Sequence, residues 1–568
     1  MDMQGVPVQP GKAEGAPLRS RIGLWLGAAL FFYILLFVEL DPSNPLVTRM
    51  LAVVVLMGVW WITEAIPIPA TSLLPIVLFP VLGIMRGGFR DARSQIDFSS
   101  TSFRDGVEAS DLDIAFPNVT TQYMDWLIFL FLGGFLIAIA VERWNLHRRI
   151  ALHIVRVIGG NPHRMVLGFM VATGFLSMWL SNTATTMMMM PMALSLVVLY
   201  EEINRDLTAK GEVADARAPN LALALLLGIA YASSIGGLAT IIGTPPNGVF
   251  VTQLGQLFPD APPVSFGGWM LFAVPLSVLF LLTCWAMLCW MLFPLPSTTP
   301  FSGRKFIDDE IRALGPMSNE EKKVAAVFLI VALLWMTRSE RLLGPDIDIF
   351  GWSHWLDVLL QRFDIAPVGG LIDDGTVAIG MALTLFVIPA SKERGGFLLD
   401  WEAARNVPWG ILLLFGGGLA LAKGFAVSGL SAYLAALFES MLDGAEPLAI
   451  VMGVVTFITF FTEFTSNTAT ASMAMPIMAS LAQAINVSPM LLMIPAAVAA
   501  SCAFMLPVST PPNAIVYGSG RVPIGKMVKA GIWLDIVSIV VVTVFVYTFG
   551  HLSFDLLGQM PDWARPGG

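Results

Sequence analysis

The sequence predicts an all-α polytopic membrane protein, an inverted repeat of about 11 transmembrane helices with two re-entrant hairpins. Three observations carry that expectation. The 568 residues are 56% hydrophobic and only 13% charged, with mean hydropathy +0.75, whereas a soluble chain carries about 25% charge. Two apolar stretches, 165–200 and 447–484, are each interrupted in the middle by Ser-Asn-Thr. Three short motifs recur in the same order in the two halves.

Residues 1–21 form a polar tail, and no small-residue cleavage site follows the first apolar run, Gly23–Leu40. That run therefore reads as a retained helix rather than a signal peptide. Apolar windows place helices near 22–40, 48–64, 68–84, 123–142, 221–242, 269–293, 323–338, 375–390, 407–424, 490–507 and 530–549. The two interrupted stretches are each about 36 residues long. As single helices they would reach about 54 Å at 1.5 Å per residue, too long for one crossing of a core roughly 30 Å thick. Two half-crossings joined by a polar turn at membrane depth fit better. The three cysteines, Cys284, Cys289 and Cys502, lie in apolar stretches and read as packed thiols. The inserted segments 86–122 and 339–374 carry both signs of charge, and no mechanism attaches to them.

The repeat shows in its motifs. Phe131–Phe135 (FLGGF) answers Leu414–Gly418 (LFGGG), Ser181–Thr185 (SNTAT) answers Ser466–Thr470, and Gly243–Asn247 (GTPPN) answers Ser509–Asn513 (STPPN). The glycine pair precedes Ser-Asn-Thr by 48 and 50 residues. Ser-Asn-Thr precedes Thr-Pro-Pro by 63 and 44, and the excess of 19 matches one polar loop, Glu201–Asn220. Of the 32 basic residues, 22 cluster in the tail and in the segments 143–164, 205–217, 304–323, 392–405 and 521–529. The positive-inside rule makes that side, with the N-terminus, cytoplasmic. The loops 41–48, 255–268, 440–449 and 484–490 carry none. On this threading the hairpins enter from opposite sides. Inverted repeats with broken helices are a sign of a secondary transporter with its site at the midplane.

A turn at that depth exposes helix ends. The second limb of each hairpin, beginning near Ala184 or Ala469, presents amide groups that attract an anion without Lys or Arg. The first limb presents carbonyl oxygens, and Ser177 and Thr462 lie one turn before Ser181 and Ser466. Oxygen-only ligation of that kind suits Na⁺. Plain capping of the limbs by Ser-Asn-Thr is the simpler alternative, and the doubled pentapeptide argues against it. Thr-Pro-Pro breaks a helix by removing donors and excluding the α region before each proline. It leaves the backbone and hydroxyls of Gly243, Thr244, Ser509 and Thr510 facing the tips, unless it is only a kink.

Other candidates are weaker. Glu463 beside the second tip reads as a hydrogen-bonded structural carboxylate before a proton relay. Glu64 reads as interfacial, Met187 to Met190 as packing, and His147, His153 and His163 as solvated or facing headgroups. No metalloprotease, serine-hydrolase or phosphate-loop motif is found.

The paired SNT tips and TPPN breaks, with Ile62–Pro67 (ITEAIP) and Phe461–Thr468 (FTEFTSNT), resemble the divalent anion:Na⁺ symporter family of di- and tricarboxylate carriers. The likeness runs from about residue 20 to 550. It implies a homodimer working by an elevator motion in the cell membrane, with no catalytic residues. The implied scaffold comprises 22–157 and 321–440, and the implied transport domain 158–293 and 443–549. A cytoplasmic linker at 294–320 and a C-terminal tail at 550–568 complete the chain. The basic stretch 143–157 would be an amphipathic arm. The resemblance implies one Na⁺ site at Ser177, Ser181, Asn182 and the Gly243 backbone, and a second at Thr462, Thr465, Asn467 and the Ser509 backbone. Substrate carboxylates would meet Asn182, Thr183, Asn467 and Thr468, with Thr244, Pro245, Thr510 and Pro511 closing the pocket. Ser509 departs from its counterpart Gly243, harmlessly if only its carbonyl ligates.

The expected function is Na⁺-coupled uptake of C4-dicarboxylates such as succinate, malate and fumarate. Transport of citrate or sulfate, or Na⁺-independent exchange of dicarboxylates, remains open beside it. An intramembrane hydrolase would need a nucleophile–base pair that the sequence does not supply.

Overall fold

The computed structural model describes residues 18–85, 118–209, 218–295, 303–338, 350–391, 395–442, 446–554, 556–557 and 560–565. Most of the N-terminal tail, the insertions over 86–117 and 339–349, and parts of the linker and C-terminal tail lie outside them. So do the basic residues Lys12, Lys210, Arg217, Lys392 and Arg394. The described residues are helical apart from loops and one isolated bridge, Pro389 to Phe397. Among the described residues, eight helices are long and apolar enough to cross a membrane, and several shorter apolar helices accompany them.

Local sequence sets many helix starts. Asn44 caps the helix Pro45–Thr63, and Asn161 caps Pro162–Ser177, each followed by proline at a position whose missing N–H costs nothing. Ser318 and Glu321 form a reciprocal capping box on Asn319–Met336. Each interrupted stretch is two helices with a four-residue break. Pro162–Ser177 is followed by Asn182–Ala209, and Pro447–Thr462 by Asn467–Ala484. We call the breaks 178–181 and 463–466 tip 1 and tip 2. The two limbs of the first pair are unequal in length. Its second limb has 28 residues, about 42 Å by helical rise, because the helix continues past Glu201 and Glu202 where the apolar window ends.

Each half also holds a helix broken before Thr-Pro-Pro. Ala218–Gly237 gives way to Pro245–Leu257, and Pro489–Ala500 to Pro511–Gly518. The intervening segments 238–244 and 501–510 are break 1 and break 2. The sequence windows overran both helices, since residues such as Ile241, Ile242 and Phe504 are apolar and buried without being helical. The window 68–84 likewise resolves into Ile68–Thr71 and Leu74–Val81, where Pro67, Pro69, Pro75 and Pro80 fragment the chain.

The motif glycines are places of close approach. A Cβ on Gly133 would lie 2.6 Å from the Ala378 backbone, and one on Gly417 2.6 Å from the Ser72 carbonyl oxygen. The next residue in each motif faces the other way: Gly134 meets Ile242 of break 1, and Gly418 meets Ser472 of Asn467–Ala484. Such small-residue seams let backbones pack where lipid gives no hydrophobic drive between helices.

The basic helix Leu146–Ile158 is not simply solvated. Arg148 pairs with Glu310 at 2.8 Å, Arg156 with Asp308 at 2.6 Å, and Arg149 with Glu321 at 3.0 Å. These bonds fasten it to Gly303–Leu314 and to the start of Asn319–Met336. His147 is buried with Nδ1 3.0 Å from the Val141 carbonyl, and burial pushes it below its ordinary pKa. The expectation of a solvated His147 is thereby corrected, while His153 is exposed. Glu64 is exposed near Arg19, the cysteines are buried free thiols, and of the methionine run only Met189 is fully buried.

One substitution tests a close approach of two backbones. A Cβ on Gly236 would overlap the Gly174 backbone of the adjoining limb. Gly236→Ala is expected to lower stability by about 1–3 kcal/mol. Gly255→Ala, where nothing lies within 4 Å, should leave it unchanged or slightly raised. Thermal unfolding in detergent followed by tryptophan fluorescence reads both.

Candidate functional site

Each tip folds against the break of its own half. In the first half, the Ser177 hydroxyl donates to Asn182 Oδ1 at 2.6 Å. The Thr240 hydroxyl donates to the Met178 carbonyl at 2.5 Å and accepts from the Gly243 N–H at 3.0 Å. A Cβ on Gly237 would stand 2.8 Å from Asn182 Oδ1 and 3.0 Å from the Gly243 carbonyl oxygen. Glycine thus keeps open a point on which the tip amide oxygen and a break carbonyl converge. Ser181 accepts from the Ala184 N–H at 3.2 Å, so its hydroxyl caps the second limb while Ser177 and Asn182 face the break.

In the second half, the Thr462 hydroxyl lies 3.0 Å from Asn467 Oδ1 and 2.9 Å from the Ala500 carbonyl. The Thr465 hydroxyl is committed to the Phe461 carbonyl and to Thr470 Oγ1, at 3.2 and 2.5 Å. The Ser509 hydroxyl donates to the Leu506 carbonyl at 2.7 Å. It is turned into its own break, so its difference from Gly243 does not set a hydroxyl against Asn467.

Glu463 is wholly buried, and its two oxygens accept from the Met505 and Leu506 N–H groups at 2.7 and 2.9 Å. It braces break 2 as a hydrogen-bonded carboxylate. Asp535, also wholly buried on Ile524–Phe554, neighbours its carboxyl. Four residues before Asp535, Gly531 lets the backbone of Phe504 and Met505 press against that helix.

The two breaks also meet. Thr244 Oγ1 lies 3.3 Å from Ser501 Oγ, across the halves. Thr510, by contrast, accepts from the Asn513 N–H at 3.3 Å and caps its own helix. Pro245 is half-buried and Pro511 exposed; Thr183 is half-buried and Thr468 buried. Among the described residues no hydrogen bond joins Asn182 or Thr183 to Asn467 or Thr468. The tip–break junctions are two, one per half, and they meet where the breaks touch.

Several residues at this centre were not singled out from sequence. Thr240 carries no motif. Asp535 and Ser501 are isolated in apolar runs. Asn247 and Asn513 stand in the doubled motif, and their repetition was the signal available.

Chemically, the first half offers hydroxyl, amide and carbonyl oxygens without a formal charge, and the second adds the buried carboxyl pair of Glu463 and Asp535 behind the break. Rotation of the Ser177 or Thr462 hydroxyl hydrogen turns its lone pairs and those of the amide oxygen toward a cation. Thr240→Val keeps the shape but takes the hydroxyl donor from the Met178 carbonyl and leaves the buried Gly243 N–H only the Thr240 carbonyl, at 3.4 Å. It is expected to cost about 1–3 kcal/mol, read as a lower unfolding temperature, whereas Thr240→Ser should be close to wild type.

Comparison with known proteins gives a consistent answer. The family model described as the sodium:sulfate symporter transmembrane region matches residues 22–556. A sodium-dependent dicarboxylate transporter SdcS of Staphylococcus saprophyticus is 41% identical over 527 residues, covering 93% of this chain and 90% of that protein. The protein of the same name from Staphylococcus aureus strain MSSA476 is 40% identical over the same shares. The Alcanivorax borkumensis YdaH transporter crystal structure aligns with TM-score 0.52 over 85% of this chain and 99% of its own, at 15% identity, a likeness of fold alone. Membership in a family of transporters sets aside the hydrolase reading. With its doubled tips and breaks and this likeness along nearly its whole length, the chain belongs to the sodium:sulfate symporter family, the divalent anion:Na⁺ symporters that its motifs resemble.

Proposed function

We propose that this protein is an integral membrane symporter of the cell membrane that couples Na⁺ entry to uptake of C4-dicarboxylates. The observation that carries the reading is the pairing of each Ser-Asn-Thr tip with its own break, which converges neutral oxygens at two equivalent places. The relatives named for sodium-dependent dicarboxylate transport support the choice of ion and anion.

One Na⁺ is held by Ser177, Asn182 and the Gly243 carbonyl, with the Ser181 carbonyl beside them. The other is held by Thr462, Asn467 and the Ser509 carbonyl, with Thr465 contributing its backbone. Bound Na⁺ makes the site electropositive, and the amide ends of Asn182–Ala209 and Asn467–Ala484 add partial positive charge. A dicarboxylate then binds between Asn182–Thr183 and Asn467–Thr468, with Thr244, Pro245, Thr510 and Pro511 at the rim. Coupling follows from linkage: an anion that prefers the Na⁺-loaded form tightens Na⁺ by the same factor.

The moving body comprises 158–293 and 443–549, the fixed body 22–157 and 321–440, and two chains associate through the fixed bodies, with the N-terminus cytoplasmic. The glycine seams at Gly134–Ile242 and Gly418–Ser472 fall on the boundary between these bodies. The Gln253 amide bonds to the Gly418 carbonyl at 3.1 Å across it.

Sulfate is the second reading, because the matching family description names it. Radiolabelled succinate uptake into proteoliposomes, driven by an inward Na⁺ gradient or an equal K⁺ gradient, decides between them. Uptake is expected with Na⁺ only, with competition by malate and little by sulfate. Asn182→Ala and Asn467→Ala should each cut it by about tenfold or more. Uptake without Na⁺ that requires internal succinate would mean exchange instead, and absence of succinate uptake with saturable sulfate uptake would establish the second reading.

A further inference from the structure

A helix ending inside a membrane leaves carbonyl groups unpaired. In break 1 the donors that could pair them are few, because Pro245 and Pro246 supply no N–H. Asn247, in the first turn after the break, folds back over it. Its Nδ2 lies 3.2 Å from the Gly237 carbonyl, 3.1 Å from Leu238 and 2.8 Å from Thr240. Asn513 does the same in the second half, with Nδ2 3.2 Å from the Ala503 carbonyl, 3.1 Å from Leu506 and 3.2 Å from Ser509 Oγ. Two acceptors stand at matching places: each asparagine reaches the carbonyls ten and seven residues before it. Both side chains are buried, and in both the Oδ1 atom has no hydrogen-bond partner. An asparagine kept in the interior with its acceptor unpaired is there for its donor.

The acceptors touch the ion-facing atoms. Gly237 adjoins Asn182 Oδ1 and the Gly243 carbonyl, and Thr240 holds both tip 1 and Gly243. Leu506 takes Glu463 of tip 2 on its N–H, and its carbonyl takes the Ser509 hydroxyl.

We infer that Asn247 and Asn513 are positioning residues for cation binding, each an amide clamp that fixes the curvature of its break and so sets the carbonyl of Gly243 or Ser509 against its tip. Neither asparagine touches the ion. A neutral donor suits the task, because Lys or Arg would hold the same carbonyls but place a full positive charge next to a bound cation. Asp has the right shape and no hydrogen to give, and it would set charged oxygen against carbonyl oxygen.

The inference rests on the Na⁺ sites proposed above. Its test compares Asn247→Ala, Asn247→Asp and Asn513→Ala with Asn182→Ala, using purified full-length protein in detergent. The readout is the Na⁺ concentration giving half of the Na⁺-specific rise in unfolding temperature, with K⁺ holding ionic strength constant. No transported anion need be present. All three clamp variants are expected to raise that concentration by about tenfold or more, and Asn247→Asp at least as much as Asn247→Ala. A clamp that is only structural would lower the unfolding temperature without Na⁺ and leave the half-effect concentration unchanged, which overturns the inference. If Asn182→Ala shifts the Na⁺ response and the clamp variants do not, the inference fails while the sites stand. If Asn182→Ala also leaves it unchanged, both fail. Should an alanine variant not fold, Asn247→Leu and Asn513→Leu, which keep the side-chain volume and supply no donor, replace it, and a wild-type Na⁺ response in them overturns the inference equally.

Discussion

Backbone groups cannot be left unpaired in an apolar interior, and this structure is arranged around the places where helices stop inside one. The two tips and two breaks interrupt helices amid buried apolar side chains. At each, a short polar side chain does what water would do elsewhere. Thr462 pairs with the Ala500 carbonyl, Asn247 and Asn513 gather the carbonyls of the breaks, and Glu463 takes two break amides. The same oxygens that satisfy the backbone form the proposed ion sites, so stability and binding are not separable there.

The halves reach one geometry by different chemistry. Position 178 of tip 1 and position 463 of tip 2 are equivalent within the repeat, as are 240 and 506 of the breaks. In the first half the Met178 carbonyl accepts from the Thr240 hydroxyl; in the second the Glu463 carboxylate accepts from the Leu506 N–H. A hydroxyl in the break is thus replaced by a carboxylate in the tip. Similarly, Thr465 and Thr470 pair with each other, while the first half has Leu180 opposite Thr185 and the Thr185 hydroxyl stands without a partner. Among the described residues the first break has no acid behind it, and the second has the buried carboxyl pair of Glu463 and Asp535.

Glycine plays a different part at the boundary between the proposed bodies. Gly133 and Gly417 pack within the helices of the proposed fixed body, and their successors Gly134 and Gly418 face the elements of the tips and breaks. Each motif is therefore two-sided. The ion pairs of the basic helix show the opposite design, with Arg148, Arg149 and Arg156 tying it to acids of Gly303–Leu314 and Asn319–Met336. The charges counted for orientation are partly neutralised by these partners.

The sequence by itself determined the helical membrane class, the doubled motifs and the motif residues from which the proposed sites are built. Hydropathy and repetition are local properties, and Ser-Asn-Thr and Thr-Pro-Pro announce themselves wherever the chain takes them. It did not determine where helices end amid apolar residues, as at 238–242 and 501–506, because burial there comes from neighbours rather than from helical periodicity. Nor did it show that Thr240 spans tip and break, that Ser509 turns its hydroxyl away, that His147 is buried, or that the two asparagines clamp. Those facts depend on which carbonyl a side chain meets once remote segments have packed, and only the tertiary structure decided them.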